Sequence, residues 1–371
     1  MNILEEIQNY PVEWKELGEV CSVNKGKQLN KNLLIDDGLY PAYNGGQTYS
    51  GRTNDYNVEA NTIIVSQGGA SAGFVNFVET KFWANAHCYY ILPDETQVKN
   101  RFVYHFLKMN QKYLMDFQHG AGIPALKSDK LTKLLIPVPP IKIQEKIVQI
   151  LDKFTEYVKE LTSELTSELT SRKKQYSYYR DKLLSFEDEV YRVEWKKLGE
   201  VAENLDSKRK PVAKGGRSSG VYPYYGASGI VDYVDDFIFD GDFLLVSEDG
   251  ANLVVRKTPI AFSISGKTWV NNHAHILKFD NMINQKFVNY YLNNIDLSPY
   301  ISGAAQPKLN QQNLNNIKIP YPSLEIQSRI VEVLDKFDTV CNDLNIGLPK
   351  EIELRQKQYE YWRDQLFDFS K

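Results

Sequence analysis

The chain has 371 residues, 42% of them hydrophobic and 25% charged, with 44 basic against 47 acidic side chains and a net charge of −3. That balance belongs to an ordinary globular protein with room for two or three domains, each with its own core. It argues against a protein that coats nucleic acid through bulk charge, and no run approaches the eighteen or so apolar residues of a membrane span. The opening Met1-Asn2-Ile3-Leu4-Glu5-Glu6 has no signal-peptide pattern, and Cys21, Cys88 and Cys341 form no CxxC pair. The expectation is a cytoplasmic protein without a zinc site.

Residues 1–140 read as one globular domain, rich in Tyr, Asn and Gly. Short apolar runs end at turn residues, as Ile63-Ile64-Val65 does before Gly68-Gly69 and Tyr89-Tyr90-Ile91-Leu92 does before Pro93-Asp94. These predict short strands joined by glycine turns, with a helical piece over 100–113. Residues 141–186 follow with a different period. Apolar side chains at Ile143, Ile147, Ile150, Phe154, Val158, Leu161, Leu165, Leu169, Tyr176, Tyr179 and Leu183 predict one amphipathic helix, roughly forty residues and about 60 Å long. Inside it Glu-Leu-Thr-Ser occurs three times in tandem, from Glu160 to Ser171. Each copy adds about 6 Å of rise and about 40° beyond a full turn.

Residues 187–322 form a second globular domain, with a strand at Phe243-Leu244-Leu245-Val246 and a helix over 285–294. Residues 323–371 repeat the helical period at Ile326, Ile330, Val333, Phe337, Val340, Leu344, Ile352, Tyr359, Trp362, Leu366 and Phe369. Gly347-Leu348-Pro349 should interrupt that helix.

The second half restates the first. Val12-Glu13-Trp14-Lys15-Glu16-Leu17-Gly18-Glu19-Val20 returns as Val193-Glu194-Trp195-Lys196-Lys197-Leu198-Gly199-Glu200-Val201, and Leu151-Asp152-Lys153-Phe154 returns as Leu334-Asp335-Lys336-Phe337. The period is too long for a solenoid. It implies an α+β domain plus a long helix, present twice, with an approximate dyad suited to duplex DNA. Two exposed apolar stripes need cover, and the expected cover is antiparallel pairing. Leu161, Leu165, Leu169 and Tyr176 would lie on one side, and Leu344, Tyr359 and Trp362 on the other. Dimerisation of separate chains is the alternative.

Nothing carries catalysis. There is no Asn-Pro-Pro-Tyr-type motif and no Walker A loop. His87-Cys88 and His273-Ala274-His275 read as partly buried strand histidines, and Asp235, Asp236, Asp240 and Asp242 as solvated turn carboxylates. The loops instead combine amide and cationic side chains, which suit base edges and phosphates, with glycine and small hydroxyl residues. In the first domain these are Lys25, Lys27, Asn44, Gln47, Ser66, Gln67, Gly68, Ser71, Gly122 and Lys127. In the second they are Lys208, Arg209, Lys210, Arg217, Tyr225, Ser228, Ser247, Asn252, Gln306 and Lys308. Gln67 and Gln306 are the expected base readers; Lys25, Lys27, Lys127, Arg209 and Lys308 are the expected phosphate contacts.

The segment Lys173-Lys174-Gln175-Tyr176-Ser177-Tyr178-Tyr179-Arg180-Asp181-Lys182-Leu183-Leu184 resembles the specificity (S) subunits of type I restriction–modification enzymes. So do Gly347-Leu348-Pro349-Lys350-Glu351-Ile352-Glu353 and the helix openings Ile143-Gln144-Glu145-Lys146-Ile147 and Ile326-Gln327-Ser328-Arg329-Ile330. The likeness covers nearly the whole chain. It implies two target recognition domains, each reading half of a bipartite, asymmetric DNA site, and a helical spacer whose tetrapeptide array sets the gap. The helices would dock two methyltransferase (M) subunits, and motor-nuclease (R) subunits would join them. S-adenosylmethionine, ATP and Mg2+ would reside in those partners and none in this chain. The reading outside this family is a two-headed coiled-coil adaptor for protein or glycan ligands.

Overall fold

A computed structural model describes residues 3–8, 10–116, 125–186, 193–303 and 306–369. The chain divides into two compact units, Met1–Leu165 with Glu351–Lys371, and Thr166–Lys350. The boundary at Leu165 falls within the tetrapeptide array. Among the described residues no helix is long and apolar enough to cross a membrane.

In the first unit four antiparallel strands lie in the order Cys21–Lys25, Cys88–Pro93, Thr62–Ser66, Val75–Val78. A smaller sheet orders Gly51–Thr53, Tyr40–Tyr43 and Trp83–Ala84. Thr62–Ser66 is buried at every position, which is why its Ile-Ile-Val run shows no alternation. The second unit repeats the plan. Its main sheet orders Glu203–Asn204, Ala274–Lys278, Phe243–Ser247 and Ala261–Ile264, and Phe243–Ser247 is buried throughout.

Each domain is closed by a two-stranded antiparallel ribbon. Glu13–Glu16 pairs with Leu135–Val138, and Glu194–Lys197 with Lys318–Tyr321. Pro137 and Pro320 are tolerated here because a ribbon has open edges, where a missing N–H costs no ladder bond. The ribbon brings the end of the domain beside its beginning and hands the chain to the helix. A buried glutamine secures each hand-over. Gln144 Nε2 donates to the Pro139 carbonyl at 2.8 Å, and Gln327 Nε2 to that of Pro322 at 2.9 Å.

The central helix runs unbroken over Ile141–Ser185. The distal helical region is two pieces, Leu324–Asn342 and Leu348–Leu366. The break sits at Gly347, where a Cβ would stand 2.5 Å from the Thr339 carbonyl oxygen and 2.7 Å from that of Asp343; only glycine lets the turn fold so tightly onto the preceding helix.

Within each unit the helical pairing is antiparallel. In the first, Leu151 shares a core with Leu366 and Phe367. Four residues further on, Thr155 Oγ1 lies 3.1 Å from the Tyr359 hydroxyl. In the second, Leu184 packs in a core with Ile330 and Leu334, and Tyr176 stacks on Phe337 with ring centroids 6.0 Å apart. Each well-buried leucine or phenylalanine there contributes about 2 kcal/mol. Leu161, Leu165 and Leu169 are half-buried, and Trp362 keeps 38% of its surface exposed. Leu344 departs from expectation: it is 71% exposed. The helix has already ended at Asn342, so the side chain hangs from the turn instead of continuing the stripe.

Candidate nucleic-acid interface

In the first domain the candidate segments are tied together by hydrogen bonds. Lys25 and Lys27 are exposed on either side of Gly26, whose Cβ would meet the Asn85 carbonyl oxygen at 2.2 Å. This close approach lets Gly26 N–H donate to the Cys88 carbonyl, and Lys27 N–H to that of Ala84, both at 2.9 Å. Ser66 Oγ donates to the Gly46 carbonyl at 3.1 Å, joining the loop of Asn44 and Gln47, both exposed, to the loop of Gln67, Gly68 and Ser71. That second loop binds the late one: Leu126 N–H donates to the Gln67 carbonyl at 2.8 Å, and Gly68 bridges Ala125. Lys127 is exposed beside them. Gly122 lies outside the described residues.

The second domain uses the same joints. Ser247 Oγ donates to the Ala227 carbonyl at 2.5 Å, Leu309 N–H donates to the Glu248 carbonyl at 2.8 Å, and Asp249 bridges Lys308. Lys208, Lys210, Ser228, Gln306 and Lys308 are exposed. Three candidates serve the fold instead. Ser66 and Ser247 are buried loop staples, and Arg209, expected on a phosphate, turns inward with its side chain only 12% exposed. Its Nη1 donates to Glu248 and to the Ala274 carbonyl, each at 2.7 Å. Arg217 holds Asp232 at 3.0 Å and lies over the Tyr224 ring, Asn252 exchanges two hydrogen bonds with Thr258, and Tyr225 packs on Phe262. In the first domain Gln67 spends one amide hydrogen on the Tyr89 hydroxyl, at 2.9 Å.

The histidines divide as well. His87 and His273 are exposed, whereas His275 is wholly buried. Asp206, Glu248 and His275 bring metal-ligand types within 4.8 Å of one another. Positive charge is already supplied there, by Arg209 to both carboxylates and by Lys308 to Glu248 at 3.1 Å. The cluster is a charge-balanced network. Asp235, Asp236, Asp240 and Asp242 are exposed.

A profile of the type I restriction modification DNA specificity domain matches the chain twice, over residues 11–171 and 192–354. The chain belongs to that family. Each matched span takes in one globular domain and helix beyond it. The specificity domain is the recognition part of such enzymes, and this chain supplies recognition, not catalysis. A type I restriction enzyme specificity subunit of Escherichia coli is 32% identical over 409 residues, covering 100% of this chain and 98% of that protein. A Haemophilus influenzae protein named as such a subunit is 37% identical over 183 residues, 48% of this chain and 47% of its own length. The crystal structure of a Mycoplasma genitalium (M. genitalium) S subunit shares the fold, with a TM-score of 0.57 at 23% identity over 97% of this chain and 96% of that one.

Within the specificity fold, sequence reading missed the buried network of Asp206, Arg209, Glu248 and His275. The basic composition of 206–217 pointed outward, and the inward turn of Arg209 depends on Glu248, 39 residues away. The one available signal was the substitution of Gln67 by an acid at the matching position, Glu248, which in a buried setting demands a cation.

Proposed function

We propose that this chain is the DNA-reading subunit of a type I restriction–modification complex, with two different half-sites read by the two domains. The carrying observation is the twice-repeated specificity domain whose loops are joined by equivalent hydrogen bonds but bear unlike side chains. Gln47 and Gln67 stand where the second domain has Ser228 and Glu248. Shared framework with changed loops suits a bipartite, asymmetric site. Exposed Lys25, Lys27, Lys127, Lys208 and Lys210 take the phosphates, and Gln47 and Gln306 reach base edges. The helices dock two methyltransferase subunits, which bring S-adenosylmethionine, and restriction subunits supply ATP- and Mg2+-dependent cleavage.

The central helix serves as the spacer. Removing Glu164–Ser167 from the array shortens it by about 6 Å and should change the gap between half-sites by about one base pair, leaving both half-sites as they were; altered half-sites would refute the ruler. The decisive experiment is single-molecule sequencing of N6-methyladenine in the host genome with and without this gene. Loss of one bipartite methylated motif is the expected result. An unchanged methylome, with the methyltransferase expressed, would favour a two-headed adaptor instead.

A further inference from the structure

Most loops of the two domains bear unlike side chains, but one exposed segment keeps three of its own. Residues 24–33 match residues 207–216 without a gap, and the two stretches are identical only at lysines: Lys25, Lys27 and Lys31 in the first domain, Lys208, Lys210 and Lys214 in the second. All six are exposed, and among the described residues none makes a side-chain hydrogen bond or a salt bridge. Lys214 comes near Asp232, but Arg217 already holds that carboxylate at 3.0 Å. The position between the first two lysines packs inward and has changed: Gly26 lies against the Asn85 backbone, whereas Arg209 turns in on Glu248. Neither packing nor ion pairing within the fold accounts for the lysines that stayed.

Both segments are fastened in the same way. Trp83, on the strand Trp83–Ala84, donates its indole N–H to the Lys27 carbonyl at 2.8 Å. Trp269, on Lys267–Val270, donates to the Lys210 carbonyl at 2.6 Å. The two strands are equivalent, since each pairs in parallel with a neighbour, Tyr40–Tyr43 or Ser219–Gly226. Two positions beyond the second lysine, the Leu29 N–H donates to Asn85 Oδ1 at 3.4 Å, and the Val212 N–H to the Tyr224 hydroxyl at 2.9 Å. A 3-10 turn then opens on the third lysine in both, Lys31–Leu33 and Lys214–Gly216. The main chain is tied to the domain at matched points while the three ammonium groups stay in water, so little backbone has to be ordered when they meet a ligand.

We propose that these lysine triplets are one phosphate-binding device built twice, gripping the DNA backbone alike at the two half-sites, and that Trp83 and Trp269 are the positioning residues that hold it. The inference rests on the DNA-reading function proposed above and adds Lys31, Lys214 and the two indoles to it. A phosphodiester backbone is what two half-sites share whatever their bases. It is therefore the ligand that calls for the same cations in two domains whose base-reading loops differ. Lysine suits it as a compact point charge that demands no fixed angle of approach. With a net charge of −3 the chain as a whole has no attraction for DNA, so backbone affinity has to come from local clusters such as these.

The test uses the full chain assembled with its methyltransferase partner. Affinity is measured for the intact site and for sites with one half scrambled, at salt from about 50 to 200 mM. Lys25→Gln, Lys27→Gln and Lys31→Gln together should flatten the slope of log affinity against log salt by about three, and the matching triple at Lys208, Lys210 and Lys214 should flatten it equally. Preference for intact over scrambled half-sites should not move in either variant. Trp83→Phe keeps the ring and loses the N–H; it should flatten the slope by about one and have no further effect on the slope once the first triple is in place. An unchanged slope in either triple would overturn the inference, as would a half-site preference that falls together with affinity. So would a Trp83→Phe protein with the wild-type slope, or one whose effect persists in the triple, because the indole would then act on something other than the lysines. Absence of any sequence-specific binding by the unaltered assembly would overturn the functional reading instead, and this inference with it.

Discussion

Asp152 and Asp335 occupy the same position in the two helical repeats, and each fastens its helix to the domain beside it. Asp152 is held by Arg101 and by His105 at 2.7 Å. Asp335 is held by Lys286 and by the Tyr290 hydroxyl, each at 2.6 Å. The acceptor is the same in both, while both donors have changed. The loops show the reverse economy of change: there the backbone joints persist and the side chains around them differ. The lesson is that the repeat preserves geometry, not side-chain identity. A domain has to meet its helix in one way, but it need not present the same chemistry to a ligand.

The sharpest way to break this comparison is to exchange residues 20–135 for the matching domain of another family member. One half-site should be replaced entirely and the other kept, with discrimination changing on the order of a thousandfold or more at the exchanged half; methylome sequencing of the hybrid reads both halves together. A change at both would mean that the domains do not read independently. A smaller effect is expected from Asp152→Ala and Asp335→Ala. Both carboxylates are more than a third exposed, so after solvent screening each substitution should cost about 1 kcal/mol in urea unfolding. Two equal losses would support equivalent docking despite unlike donors, and a loss in only one would deny it.

The smallest and most specific difference is in pH. Burial holds the His105 ring below the usual histidine range against the pull of Asp152. Arg101 and His105 hold Asp152 below the usual carboxylate range although burial pushes the other way. The folded first unit therefore binds fewer protons than the unfolded chain in acid. The His105 contribution weakens as pH falls below the ordinary value of 6.5, and that of Asp152 is lost further down, as pH passes through its lowered value. In the second unit burial and Asp335 raise the Tyr290 hydroxyl, so its contribution is intact in mild acid and is lost only in alkali. Hydrogen exchange, corrected for intrinsic rates, should show Asn100–Met109 losing protection before Met282–Asn294 does as pH falls below 6.5. Equal protection throughout would show that these histidine and tyrosine partners are interchangeable.

Much of the fold is legible in sequence because it rests on local pattern. The Ile63-Ile64-Val65 and Phe243–Val246 runs are strands, the stripe from Ile143 lies on one continuous helix, and Gly347 marks the break in the distal one. The site was less legible, for a physical reason. Whether a loop cation faces water or a buried acid is decided by partners far away in sequence, as with His275 and Asp206, 69 residues apart. Composition placed Arg209 among the outward cations, whereas packing turned it inward. Leu344 fails similarly: it continues the apolar period, but the helix that would have given the period meaning stops two residues earlier.

The tetrapeptide array also has a consequence at the level of the gene. Each copy is a whole number of codons, and the three copies from Glu160 to Ser171 lie wholly inside one uninterrupted helix. Slippage during replication that adds or drops a copy leaves the reading frame intact and leaves the sequence of both globular domains unchanged. The length of this helix is therefore the property of the protein that heredity can alter in one reversible step.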